Sequence, residues 1–130
     1  MTRLLFATLL CAVTSLQAAA QNRVSQALLD LSEDERNRAF MDMLGEGEVK
    51  CDRVIHTLFN GSTSDLDVWE ALCRDRNSYS LTIPSEPNAE IALVSCRELL
   101  ATSKMLLNNA GSKIRPTRCR IQRAEHLHRR

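Results

Sequence analysis

Residues 51–83 read CDRVIHTLFNGSTSDLDVWEALCRDRNSYSLTI. Two polar clusters typical of turns, at residues 60–63 and 75–78, separate runs rich in valine, isoleucine and aromatic residues. Residues 79–83 (YSLTI) alternate apolar and polar side chains, which places the apolar ones on one face of a strand. A further turn at residues 84–88 precedes a last apolar run. Short strands joined by short polar turns predict an antiparallel meander.

The beginning of this meander, residues 49–59, fits two structures. On a helix, one apolar stripe would contain Cys51, Val54, Ile55, Leu58 and Phe59. As a strand, the same segment shows a partial alternation of Val49, Cys51, Ile55, Thr57 and Phe59. The turn cluster that follows and the alternating run after it favour the strand.

Helices are predicted on both sides of the meander. Residues 21–44 have helical spacing, and a capping box at Ser32–Glu35 indicates two short helices or one helix broken near Ser32. A second capping box at Ser95–Glu98 begins another helix, which Asn108, Asn109 and Gly111 end. Because a sheet must bury an apolar face, the sequence predicts an α+β fold. In this fold, N-terminal helices pack on a 3–4-stranded antiparallel meander, followed by a C-terminal helix and a basic tail.

The first twenty residues have the three parts of a secretory signal peptide. Arg3 supplies a positive charge, residues 4–16 carry no charge and are mostly apolar, and residues 18–20 are three alanines. The apolar run is too short to cross a hydrocarbon layer of about 30 Å. We therefore predict a signal peptide over 1–20, a small α+β domain over 21–111 and a basic, mobile tail over 112–130. The protein would be exported, to the periplasm or the medium, with no transmembrane span after cleavage.

Removal of the leader leaves an even number of cysteines in a compartment where disulfides persist, namely Cys51, Cys73, Cys96 and Cys119. If the first hairpin turns around residues 60–65, Cys51 and Cys73 lie nearly opposite each other, at a separation that suits a disulfide. Cys73 and Cys96 would lie on strands two positions apart, about 9–10 Å, which is too far. We therefore predict Cys51–Cys73 and, by elimination, Cys96–Cys119.

Charge is distributed unevenly along the chain. Residues 21–112 carry nine basic and fifteen acidic side chains. The tail carries one acid, Glu125, and seven basic residues that could bind an anionic surface: Lys113, Arg115, Arg118, Arg120, Arg123, Arg129 and Arg130. No aromatic residue lies among these arginines, which disfavours single-stranded nucleic acid as a ligand. The sequence favours the alternative that the tail lies across the acidic body of its own domain or is solvated.

No pattern in the chain specifies a catalytic, metal or cofactor site. The cysteine spacings contain no C-x-x-C, and His56 is alone on a candidate strand. The two tail histidines, His126 and His128, are a weak candidate for metal ligands, because a histidine pair in a mobile tail does not by itself define a site. We interpret Trp69 and Tyr79 as core or sheet-face residues. The sequon at Asn60-Gly61-Ser62 is interpreted as a turn.

The stretch Cys51–Cys96 resembles small exported bacterial proteins of uncharacterised activity. The resemblance rests on Cys51-Asp52-Arg53-Val54, Phe59-Asn60-Gly61, Trp69 with Cys73 four residues on, Tyr79 and Cys96. The order of one helix and three strands is also similar to PepSY-like envelope domains, for which the resemblance implies an inhibitory or binding role. Asn77-Ser78 stands where those domains usually have glycine, so this similarity concerns the fold alone.

The sequence thus predicts a non-enzymatic binding or interaction module of the cell envelope, without cofactor. Its partner would be an unidentified protein or an anionic envelope surface. The alternative is a structural or surface-associated protein held to an anionic surface by its basic tail. A small secreted hydrolase comes third, because no nucleophile and base can be paired from the sequence.

Overall fold

The computed structural model describes residues 22–111 and 118–121. The chain forms, in order, α1 (Arg23–Asp30), α2 (Glu33–Glu46), β1 (Val54–Ser62), β2 (Leu66–Cys73), β3 (Ser78–Pro84), β4 (Ala92–Ser95) and α3 (Cys96–Asn109). The predicted α+β class is confirmed, with a four-stranded antiparallel sheet in the order β1-β2-β3-β4. The predicted signal peptide lies outside the described residues, as do five of the seven candidate anion-binding residues: Lys113, Arg115, Arg123, Arg129 and Arg130.

Both predicted capping boxes begin helices. The Ser32 hydroxyl accepts from the Glu35 backbone N–H, and the Glu35 carboxylate accepts from the Ser32 N–H, so α1 and α2 are separate helices. Ser95 and Glu98 make the same exchange at the beginning of α3. Helix α2 continues through Gly45 and is capped at Gly47.

Helices α1 and α2 cover one face of the sheet. Trp69 of β2 lies at the centre of this core, with ring centroids 5.4 Å from Phe40 of α2 and 5.0 Å from Phe59 of β1. Its indole N–H donates to the hydroxyl of buried Ser25 in α1 at 3.0 Å. Asn22, which caps α1, donates to the carbonyl oxygens at the end of β3. The predicted core role of Trp69 is confirmed.

The first hairpin differs in register from the prediction. The sequon residues, Asn60 to Ser62, belong to β1, and residues 63–65 make the turn. Gly61, at a φ of 128°, takes up a register irregularity in the strand. Val54, rather than Cys51, therefore lies opposite Cys73. The predicted Cys51–Cys73 disulfide forms nonetheless, with the Cα atoms 5.7 Å apart, because Cys51 lies just before β1.

The opposite face of the sheet carries the second disulfide, Cys96–Cys119, with a Cα separation of 5.7 Å. Cys119 and Ile121 are buried against Leu72, with Leu58 and Leu99 packed around them. Residues 118–121 are thus part of the folded domain. For these four residues the structure differs from the predicted mobile tail, because a disulfide and an apolar contact fix them to the sheet.

Replacing Ser25 with alanine tests the importance of the Trp69 contact. The variant leaves the buried indole N–H without an acceptor, and we expect the free energy of unfolding to fall by about 1–3 kcal/mol. Urea denaturation followed by fluorescence measures this directly, since Trp69 is the only tryptophan. The control Ser64→Ala changes an exposed loop residue. Equal stability of the two variants would contradict the assignment.

Candidate functional site

Leu93 of β4, the last strand of the described sheet, lines a cavity of about 390 Å³. Among the described strands, β4 is hydrogen-bonded to β3 alone, and it is four residues long. The cavity lies between β4, the end of α2 and the segment before β4. We call it the β4 groove, and its lining consists of Met43, Glu46, Gly47, Ala89, Glu90, Ile91 and Leu93.

The floor of the β4 groove is apolar. Met43, Ile91 and Leu93 are half-buried, and all three pack against the core that contains Trp69. Gly47 lies close to this floor, since a Cβ atom there would be in van der Waals contact with Leu93 Cδ1, at 3.4 Å. One side of each floor residue therefore packs against the core, while the other side is exposed in the groove.

The rim of the β4 groove is acidic. Glu46 and Glu90 are exposed, and no basic side chain is among the described residues of the lining. Glu46 is the last residue of α2, whose last turn also has no basic residue. A negative charge at the negative end of a helix dipole typically costs about 0.3–1 kcal/mol. A cation bound near Glu46 would relieve this repulsion.

A second cavity, of about 230 Å³, lies beside the turn between β2 and β3. Its lining includes Arg76, Tyr79, Arg97 and Glu98. Burial raises the pKa of the Tyr79 phenol, the carboxylates of Asp75 and Glu98 raise it further, and Arg97 lowers it. Because charges of both signs surround the phenol, this cavity does not favour a ligand of one charge.

A third cavity, of about 300 Å³, lies between α2 and the beginning of β1. Asp34, Arg38 and Arg53 line it, again with charges of both signs. The side-chain oxygen of Asn37 is buried here and has no hydrogen-bond partner in the described part of the chain. One neutral amide oxygen does not define a ligand class.

A buried carboxylate connects the C-terminal segment to the sheet. Glu70 of β2 is 1% exposed and accepts hydrogen bonds from the Ile121 backbone N–H at 2.7 Å and from Asn60 Nδ2 at 2.8 Å. Arg120 donates to Asn60 Oδ1 at 3.2 Å. Sequence reasoning missed Glu70, although an acid inside the apolar run of β2 (LDVWEALC) could have indicated a buried acceptor.

Two of the predicted anion-binding residues, Arg118 and Arg120, lie within the described residues. Both are exposed, on either side of buried Cys119. The attachment of Cys119 fixes their backbone positions. The Arg120 guanidinium donates to Asn60, and no contact with a second arginine is seen among the described residues. His56 is an exposed residue of the edge strand β1, 3.2 Å from a carboxylate oxygen of Glu33.

Metal-binding clusters and membrane-spanning helices are both absent from residues 22–111 and 118–121. No three side chains of histidine, cysteine, aspartate or glutamate come together in these ranges in a way that could hold a metal ion. No helix in the same ranges has the length and hydropathy needed to cross a bilayer.

Replacing Glu70 with glutamine tests the attachment of the C-terminal segment. The amide offers one acceptor where the carboxylate offers two, so either Asn60 or Ile121 loses its partner. We expect the free energy of unfolding to fall by about 1–3 kcal/mol, together with faster hydrogen exchange at the Ile121 amide. The exposed acid Glu86, changed to glutamine, serves as the control. Unaltered exchange at Ile121 in Glu70→Gln would rule out this role.

Comparison of the chain with protein-family models, curated proteins and solved structures gave no match. The resemblance of Cys51–Cys96 to small exported bacterial proteins therefore stays a prediction, as does the similarity to PepSY-like domains. Function must be inferred from the geometry and charge of the chain itself.

Proposed function

We propose that this protein is an exported, non-enzymatic binding module of the cell envelope that holds a protein partner at the β4 groove. The observation that carries the proposal is the combination of a strand edge and an apolar floor at one place. An extended peptide can add a strand to an exposed sheet edge, where main-chain hydrogen bonds give affinity and neighbouring pockets give specificity. Proteins usually cover or blunt such edges, so an edge beside a groove is a candidate interface.

The two disulfides fit an exported protein. Cys51–Cys73 and Cys96–Cys119 link the described cysteines in pairs, and such bonds persist in oxidising compartments. They also stiffen the domain on both faces of the sheet. A rigid scaffold suits binding because less conformational entropy is lost when the partner docks.

The hydrolase alternative has no support from the described residues. His56 lines none of the three cavities described above, and its ring nitrogen faces Glu33 rather than a serine or cysteine. A general base must lie within hydrogen-bond reach of the group that it deprotonates.

Site-specific photo-crosslinking tests the proposal. We expect a photoreactive residue at Ala89, on the groove, to give one discrete adduct with a protein from the native compartment, in a salt-resistant manner. The same residue at Ser64, in the β1–β2 loop, is the control and should give none. The oxidised full chain is the bait, and the readout is the adduct mass. Equal adducts at both positions, or none at either, would refute the proposal.

A second candidate function is attachment to an anionic surface. Arg118 and Arg120 are exposed beside the fixed Cys119, and α3 leaves Met105 and Leu106 each 63% exposed. Exposed apolar residues on a helix, together with exposed basic residues, favour binding at a membrane surface. Removing the whole segment from Lys113 would also remove Cys119 and Ile121, so substitutions are preferable to truncation.

Neutralising four tail residues tests this attachment. The variant K113Q/R115Q/R118Q/R123Q should lose most of its binding to vesicles that contain an anionic lipid, because the attraction is electrostatic, and added salt should have the same effect. A matched control removes four exposed positive charges elsewhere: R23Q/R38Q/K50Q/R53Q. Sedimentation with anionic and with neutral vesicles measures the bound fraction. Equal loss in both variants would exclude a specific role for the tail.

A further inference from the structure

The charge of the β4 groove indicates the chemical class of its partner. Resting on the proposed function, we propose that the groove binds an extended, basic segment of a partner protein. This segment adds a strand beside β4, in which every second side chain is a lysine or arginine whose aliphatic stem lies on the groove floor and whose charged group lies beside Glu46 or Glu90.

The dimensions suit a short extended segment. Four residues of β4 span about 13 Å, so they can pair with a partner segment of four to seven residues. Leu93 faces the side of the sheet that the helices cover, together with the core. In an added strand every second side chain points to that same side, where it meets Met43 and Leu93.

The charges select a basic segment over an acidic one. Glu46 and Glu90 lie at the rim, and the negative end of α2 points in the same direction. The aliphatic stems of lysine and arginine can lie along the apolar floor while their charged groups reach the rim carboxylates. An acidic segment would meet two like charges and the helix dipole, which disfavours it.

The chain's own C-terminal residues are a competing occupant. Residues 122–130 carry Arg123, Arg129 and Arg130 and follow Ile121, which is fixed on the opposite face of the sheet. Nine residues can reach about 30 Å when extended. The test therefore includes a variant that ends at Ile121 and so retains both disulfides.

Fluorescence anisotropy with short labelled peptides tests the inference on the oxidised full chain. The probes are the capped peptides KVKVKVK and EVEVEVE, and KVKVKVK with alternate backbone nitrogens methylated. We expect the basic peptide to bind at least about tenfold more tightly than the acidic one. Methylation should abolish binding, because it removes the main-chain donors on which strand addition depends.

Charge variants locate the site. E46Q/E90Q should weaken binding of the basic peptide about tenfold and reduce its salt dependence. The control D30N/D65N removes two acidic charges from exposed residues outside the groove lining and should leave binding unchanged. Circular dichroism confirms that the variants fold, so a change in affinity reports on the groove.

Each outcome decides the matter. Equal binding of the basic and acidic peptides, or equal effects of E46Q/E90Q and D30N/D65N, overturns the inference. Binding that occurs only in the variant ending at Ile121 overturns it too, because the chain's own tail is then the occupant. A groove adduct in the crosslinking experiment without basic-peptide binding defeats this inference alone. Basic-peptide binding without any groove adduct defeats the proposed protein partner instead.

Discussion

Trp69 receives contacts from three other elements of the fold. Its indole N–H bonds to Ser25 of α1, its ring packs against Phe40 of α2 and Phe59 of β1, and the guanidinium of Arg36 in α2 lies 6.0 Å from its centroid. Tryptophan buries a large apolar area, and its indole N–H needs a hydrogen-bond acceptor when buried. The apolar contacts hold the helices against the sheet, and the directional hydrogen bond to Ser25 also fixes the position of α1. The domain assembles around this one side chain.

Each face of the sheet has its own covalent reinforcement. Cys51–Cys73 lies on the side of the helices, and Cys96–Cys119 lies on the other, beside Leu72 and Ile121. A domain of about 100 residues buries about two-thirds of the surface that its unfolded chain exposes, which leaves little stability to spare. Each disulfide typically adds about 2–4 kcal/mol to that stability. On the second face, residues 118–121 pack on β1 and β2 and are held there by the Cys119 disulfide and by the hydrogen bond to Glu70. They cover this face as helices α1 and α2 cover the first.

The β4 groove results from the way the two N-terminal helices cover the sheet. Helix α2 packs mainly against the β1 side of the sheet, and α1 is only eight residues long. A helix is about 10 Å across, while four strands span about 14–15 Å between the outer pair. The end of the sheet at β4 is therefore covered by the last turn of α2 and by the segment before β4, rather than by the length of a helix. The interface that we propose is the part of the sheet that the helices leave open.

The sequence by itself determined the elements whose causes are local. Capping boxes at Ser32 and Ser95 define helix starts, because the partners are three residues apart, and alternation over residues 79–83 defines a strand. The disulfide pairings also followed from the order of the cysteines along a meander. The turn predicted at residues 60–63 was placed too early in the chain. Glycine is common both in turns and at irregularities within strands, and Gly61 lies at such an irregularity in β1.

Only the tertiary structure decided the register of β1, the docking of residues 118–121 and the existence of the β4 groove. Each depends on contacts between residues far apart in the chain: the Ile121 N–H meets the Glu70 carboxylate across 51 positions. Met43 and Leu93 likewise meet only after the helices have packed. Local patterns specify which segments become helix or strand, whereas the surfaces left uncovered depend on how those segments pack together.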